Sequence, residues 1–312
     1  MHIDRERKEK MKLGTFMTMF SRRRGVAEDV PYIEQMTACR AAGFDVQNFC
    51  AYLALDKKRK AEICEDDWQK RINALANEAA KQGVTFTQAH APGRCEPFIA
   101  ELRPTDEVIE YYLEIMRRTI LACEMLGVKW MTVHPFSDNI NTEYDTDILK
   151  KTNLEFYAPI LEFAKAHGVG LAFENMARFN KFSMLKRVYC MSAEELCDLV
   201  DTFNDEDVGV TWDFGHGRMM IANQSTALER IGHRLKATHV QDNKGTDAHL
   251  IPFVGGDINW ESIMPTLKKI GYDGTFMLES GSYSQNLPEE LWIPAGRLAY
   301  EFGTYCLSLA EK

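Results

Sequence analysis

"GVTWDFGHGRMM" (residues 209–220) runs from β-branched and aromatic residues into an acid, Asp213, with His216 three positions further on. Val210, Thr211 and Trp212 suit a pleated, buried strand. Buried strands rarely end in a carboxylate beside an imidazole. Three readings are open at this point: the two residues hold a metal, act as a catalytic pair, or cap a turn.

Working outward, the same kind of run recurs. "KLGTFM" begins at Lys12, "FDVQNFC" at Phe44, "VTFTQAH" at Val84, "VKWMTVHP" at Val128, "GVGLAFEN" at Gly168, "LKATHVQD" at Leu235 and "GTFMLES" at Gly274. With "VGVTWDF" from Val208 that makes eight strand candidates. Between them lie stretches such as "DDWQKRINALANEAAKQG" and "TDEVIEYYLEIMRRTILACEMLG", with apolar residues three and four apart and a glycine where the helix would stop. Apolar strands each followed by a helix imply a parallel sheet covered by helices. Eight such units close into a (β/α)8 barrel, whereas an open doubly wound sheet would be expected to carry G-x-G-x-x-G after a strand, and none occurs. The reading is α/β, a single (β/α)8 TIM barrel over residues 12–312, preceded by a charged lead-in, 1–11. No low-complexity linker divides it.

The composition agrees. Of 312 residues, 45% are hydrophobic and 27% charged, and the net charge is −9. An acidic surface repels phosphate backbones and argues against nucleic acid as a partner. No apolar run approaches the roughly 20 residues of a membrane helix, and the charged N-terminus lacks a signal-peptide core, so the expected location is the cytoplasm. The eight cysteines include no C-x-x-C pair and read as buried thiols.

In such barrels chemistry gathers at the C-terminal ends of the strands. Strand 3 ends in His90, strand 4 in His134, strand 5 in Glu174 and strand 6 in Asp213, with His216 just beyond. Strand 7 carries His239, with Asp247 and His249 in its loop, and strand 8 ends in Glu279. Five of the eight histidines fall in this set. Each alone reads as a hydrogen-bonded structural residue. Together, Glu174, Asp213, His239 and Glu279 come from four successive strands, and three carboxylates crowded at one rim repel unless a cation neutralises them. Three oxygens and one nitrogen suit Mn2+, Mg2+, Co2+ or Zn2+. One divalent metal ion and no organic cofactor is the expectation. His216 would orient substrate, bind a second ion, or support a ligand.

These motifs resemble the sugar phosphate isomerase/epimerase superfamily of xylose isomerase-like TIM barrels. The resemblance rests on "LAFENM", "TWDFGH", "ATHVQDN", "FMLES" and the stretch "DAHLIPFVGGDINWESIMPTLKKIGYDG". It implies a metal quartet of Glu174, Asp213, His239 and Glu279. Within that quartet Glu174 and Glu279 would be the two acid/base carboxylates, on opposite faces of a small sugar, keto-sugar or cyclitol. They would remove and return a proton next to a carbonyl through a metal-stabilised enediolate. The expected partner is that carbohydrate, and barrels of this kind often pair as homo-oligomers. The chain departs from the sugar epimerases in lacking an Arg shortly after the strand-7 His; Lys244 is the nearest basic residue.

More distantly the chain resembles the endonuclease IV group, whose multi-zinc pattern has counterparts at His90, His134, Glu174, Asp213, His216, His239, Asp247, His249 and Glu279. A multi-zinc phosphodiesterase is therefore one alternative. A metal-dependent lyase or dehydratase acting on an inosose or glycoside is another. Two basic stretches lie on the active-site face: "SRRRG" at 21–25, and the loop from 177 to 190, where Arg178 and Lys181 read as lid or substrate contacts. Phe16, near the end of strand 1, would line a sugar pocket. Trp130, Phe179, Trp212 and Trp260 read as core.

Overall fold

Val208–Asp213 is buried at all six positions and Gly170–Glu174 at all five, the pattern of strands covered on both faces. The computed structural model describes residues 10–93, 106–137, 144–177, 188–221, 223–284 and 286–311. Eight parallel strands form its centre: β1 (Lys12–Phe16), β2 (Val46–Cys50), β3 (Thr85–His90), β4 (Trp130–Val133), β5 (Gly170–Glu174), β6 (Val208–Asp213), β7 (Leu235–His239) and β8 (Thr275–Leu278). Their hydrogen-bonded order is β7-β6-β5-β4-β3-β2-β1-β8. The ring closes where Val240 N donates to Met277 O (2.8 Å) and Glu279 N donates to Val240 O (2.8 Å). The fold is a single (β/α)8 TIM barrel.

The outer layer consists of α1 (Tyr32–Ala42), α2 (Trp68–Gln82), α3 (Asp106–Leu126), α4 (Thr146–Ala166), α5 (Ala193–Phe203), α6 (Phe214–Met220), α7 (Gln224–Ile231), α8 (Trp260–Lys269) and α9 (Trp292–Leu309). Starts follow side-chain caps: Ser192 accepts from Glu195 N, and Asn259 from Ser262 N. Gly83, left-handed at φ 65°, ends α2. Phe49, Phe173, Trp212, Phe214, Trp260 and Phe276 fill the shell between sheet and helices. Phe16, Val46 and Met277 form a small separate cluster.

Two sequence expectations need correction. Strand 4 is shorter than its apolar run, so His134 lies just past Val133 rather than within the strand. Trp130 is only half-buried: it sits at the N-terminal mouth of the barrel, with Lys129 Nζ 6.0 Å and Lys236 Nζ 5.6 Å from its ring centroid. An indole there is shielded by lysine stems instead of helices.

Register decides the height of the rim residues. Val210 pairs with Leu235, but Thr211 pairs with Ala237, a one-residue bulge that skips Lys236. Asp213 therefore stands opposite His239. Without the bulge it would face Thr238, and His239 would fall on the other face of the pleat.

Candidate active site

The ends of β5, β6, β7 and β8 bring Glu174, Asp213, His239 and Glu279 together: one ligand atom from each lies within 4.8 Å of the others. His239 Nδ1 is 2.9 Å from Glu174 Oε1 and 3.4 Å from Glu279 Oε2. The first three are completely buried, while the Glu279 side chain is 21% exposed and is the one open to a ligand. Beneath them Thr132 Oγ1 lies 3.3 Å from His239 Nε2 and 2.9 Å from Thr211 Oγ1.

Asp213 resolves the ambiguity of its sequence context. Its Oδ1 accepts from His216 N at 2.6 Å and caps α6. Its Oδ2, equally buried, has no hydrogen-bond partner among the described residues. A buried carboxylate oxygen without a hydrogen bond is costly, and the nearest basic group, His216 Nε2, stands 4.0 Å away, so the atom has room for a cation. Capping occupies one oxygen of the carboxylate and leaves the other free of hydrogen bonds. Asn175 fixes it: Asp213 N donates to Asn175 Oδ1 (2.6 Å), and Asn175 Nδ2 donates to Asp213 O (2.9 Å).

A second group shares Glu174. His134 Nε2 lies 2.8 Å and His90 Nε2 3.4 Å from Glu174 Oε2, and these three residues also converge closely enough to hold an ion. His216 Nδ1 bonds the Asn175 carbonyl (2.8 Å) and lies 3.6 Å from Glu174 Oε1. Asp247 and His249 pair with each other, Oδ1 to Nε2 3.0 Å, and His249 Nδ1 donates to the Glu279 carbonyl at 3.0 Å. Phe16 stands edge-on to His239, centroids 4.9 Å apart. Arg178, Phe179 and Lys181 lie outside the described residues. In "SRRRG", Arg23 is engaged by Glu34 and Glu289, at 2.5 and 2.8 Å.

The charges are unequally distributed. Burial opposes ionisation of Glu174, but the charges and hydrogen bonds of His239 and His134 outweigh it and hold the carboxyl well below its usual range. Burial drives Glu279 well above its range, reinforced by Asp213 and Glu174 and only partly offset by His249. Burial also raises Asp213 and pushes His134 down to about 4. For His249 burial disfavours the imidazolium, yet Asp247 and Glu279 carry it up to about 10. Burial likewise penalises the Asp247 carboxylate, but His249 brings it down to about 2.

The rim rule missed the residues that hold the loops. Asp242 is buried; its Oδ1 accepts from Asn243 N and Ile258 N, and its Oδ2 from Phe253 N and Trp260 Nε1, all within 3.1 Å. It fastens the strand-7 loop to α8. A Cβ on Gly256 would come within 1.9 Å of Asp242 Oδ1, which explains the glycine in "FVGGD". Gln241 donates to Asp247 Oδ1 (3.0 Å) and accepts from His249 N (3.1 Å). Lys244, the nearest basic residue after His239, is exposed. The acid inside "VQDN" is the signal that could have exposed Asp242.

A model of the family described as Xylose isomerase-like TIM barrel matches residues 36–300. The chain belongs to the xylose isomerase-like TIM barrel family. This xylose isomerase-like barrel is 27% identical over 197 residues to an uncharacterised protein of Methanocaldococcus jannaschii, covering 61% of the chain and 63% of that protein, less than two thirds of its length. It is 23% identical over 252 residues to the D-psicose 3-epimerase of Enterocloster bolteae, covering 80% and 76%. Among solved structures it superposes on a D-tagatose 3-epimerase-like protein with a TM-score of 0.73 at 21% identity, over 96% of this chain and 98% of that one. At that identity the likeness speaks for the fold. Among the described residues no helix of the barrel is long and apolar enough to cross a membrane, and no disulfide joins its cysteines.

Proposed function

We propose that this barrel is a divalent-metal-dependent isomerase or epimerase of a small sugar, keto-sugar or cyclitol, working by proton removal next to a carbonyl. The observation that carries the reading is the convergence of Glu174, Asp213, His239 and Glu279 around the unpartnered Asp213 Oδ2. Those four would hold the ion. When bound, a divalent ion would act as a Lewis acid toward negative charge developing on substrate oxygens.

The protein's own residues supply the rest. Glu174 and Glu279 flank the position, and their environments push them apart: one is held ionised, the other is poised to keep a proton. That difference suits a pair in which one member accepts a proton and the other delivers one. His134 and His239 hold the Glu174 oxygens in place. Phe16 and Tyr52 pack against the histidines. D-psicose and D-tagatose in deuterated water test the reading: the active protein should place deuterium at the carbon beside the carbonyl. A lyase or dehydratase would begin with the same proton removal, and product analysis separates it.

The group His90–His134–Glu174 favours one second reading, a multi-zinc phosphodiesterase. Against it, the net charge of −9 opposes a polyanion, and Asp247 and His249 neutralise each other.

A further inference from the structure

His239 turns its two ring nitrogens to unlike surroundings. Nδ1 is on the side of the carboxylates, 2.9 Å from Glu174 Oε1 and 3.4 Å from Glu279 Oε2. Nε2 instead meets Thr132 Oγ1 at 3.3 Å. From there the contacts continue, Thr132 Oγ1 to Thr211 Oγ1 at 2.9 Å and Thr211 Oγ1 to the Ala172 carbonyl at 3.4 Å. The four residues come from β7, β4, β6 and β5, and all are fully buried. β4 is no neighbour of β7 in the sheet, so the first contact crosses the inside of the barrel.

Counting protons gives this chain a direction. A carbonyl oxygen only accepts, so the Thr211 hydroxyl donates to Ala172. Its oxygen is left to accept from Thr132, and the single Thr132 proton is thereby spent. Thr132 then offers His239 only a lone pair, so Nε2 carries the proton. Any other order drops the Ala172 contact or sets two lone pairs face to face, which is costly in a buried position. Phe16 stands edge-on to the imidazole, centroids 4.9 Å apart, and His90 stacks on it at 5.4 Å; both fix the plane of the ring. Neither contact opposes a half-turn about Cβ–Cγ, which would place carbons where the nitrogens now stand. The Thr132 oxygen does, because it would lose its donor.

We infer that Thr132, backed by Thr211, is a positioning residue that holds His239 in its Nε2–H form and so keeps the Nδ1 lone pair turned to the ion. A neutral imidazole ligates through the nitrogen that lacks the proton, and the partner of the other nitrogen decides which one that is. A pair of hydroxyls ending on a backbone carbonyl does this without adding a fourth carboxylate to the three already crowded at the rim. The inference rests on the proposed metal site and deepens it. In the sequence Thr132 and Thr211 look like ordinary β-branched strand residues, because their partners lie 107 and 79 positions away.

The test reads Zn2+ affinity and ring protonation together on the full chain, by competition calorimetry with Zn2+ and by nitrogen NMR of histidine-labelled protein with and without Zn2+. Wild type, Thr132→Val and Thr132→Ser are compared, with thermal unfolding as the folding control. In wild type the His239 Nε2 should carry a proton in both states. Thr132→Val should bind Zn2+ about 10–100-fold more weakly, the usual scale for a partner of a metal-bound histidine, whereas Thr132→Ser should stay within about threefold of wild type. The Nε2 proton resonance should shift upfield in the Val variant, marking the lost acceptor, and stay in place in the Ser variant. If Thr132→Val fails to fold, Thr211→Val, which removes the far end of the chain, should show the same weakening and decides in its place. A bare Nε2 in wild type overturns the assignment, as does a folded Thr132→Val that binds Zn2+ like wild type, or a Thr132→Ser as weak as Thr132→Val. Absence of Zn2+ binding to wild type would sink the proposed metal site and this inference with it. If the affinities fall in the expected order but no deuterium enters the sugar, the proposed isomerase chemistry fails and the role of Thr132 stands.

Discussion

Glu174 and His239 meet at 2.9 Å, Oε1 to Nδ1, and the same nitrogen lies 3.4 Å from Glu279. One imidazole stands between two carboxylates. That geometry depends on the bulge between β6 and β7, which brings His239 level with Asp213. The site is thus a product of strand register as much as of residue type.

Glu279 is the quartet member open to a ligand, so its removal should affect chemistry more than folding. Glu279→Gln keeps the shape and removes the ionisable group. The expected result is a melting temperature within a few degrees of wild type, with exchange of the substrate α-proton lowered by at least about 100-fold. Undiminished exchange would remove Glu279 from the acid/base pair.

His134 helps hold Glu174 low through a 2.8 Å contact. Replacing it with Gln withdraws part of that support, and the Glu174 carboxyl should rise. The acidic limb of the kcat/KM profile should then move to higher pH. A limb that stays fixed would show that Glu174 is not the group titrating there.

The Asp247–His249 pair predicts a pH window for stability in ion-free protein. His249 sits at about 10 against an ordinary 6.5, so its contribution is complete below about pH 6.5 and is lost as pH rises through 10. Asp247 sits at about 2 against 3.8, so its contribution is complete above 3.8 and is lost as pH falls through 2. Asp247→Asn should therefore differ most from wild type in thermal unfolding between about pH 4 and 6.5, and the gap should close toward pH 10. A gap independent of pH would mean that the pair stabilises only by packing.

Gly256→Ala places a methyl group on the Asp242 carboxylate, 1.9 Å from Oδ1 in the present arrangement. Either the carboxylate moves and drops donors from the strand-7 loop, or the loop shifts. Urea unfolding should show a loss of about 2–3 kcal/mol, the cost of leaving buried donors unmatched. A change below about 0.5 kcal/mol would show that the loop is not fastened there.

The strands and the quartet were legible because each depends on a local pattern: apolar runs ending in a polar residue, repeated eight times, with chemistry confined to one rim. His90, His134, His216, Asp247 and His249 surround the same point for the same reason. What escaped reading depends on partners far apart in sequence. Asn175 grips the backbone of Asp213 from the next strand, Asp242 gathers donors from two elements, and the β6–β7 bulge leaves no mark in hydropathy. Trp130 was misread because an aromatic in a strand looks the same at the open mouth of a barrel as in its core. Helix α6 was hidden by the glycines of "FGHG", which are needed for packing: a Cβ on Gly215 would strike Gln241, and one on Gly217 would strike Gln224.

The most direct test is elemental analysis of the purified chain after equilibration with Mn2+, Co2+, Mg2+ and Zn2+, run beside Asp213→Asn. The account predicts about one divalent ion per chain, lost in a variant that still folds because Oδ1 and its cap remain. Failure of the wild type to bind any of the four ions, or full retention by Asp213→Asn, would contradict it. Two to three zinc ions per chain would move the site toward the phosphodiesterase reading.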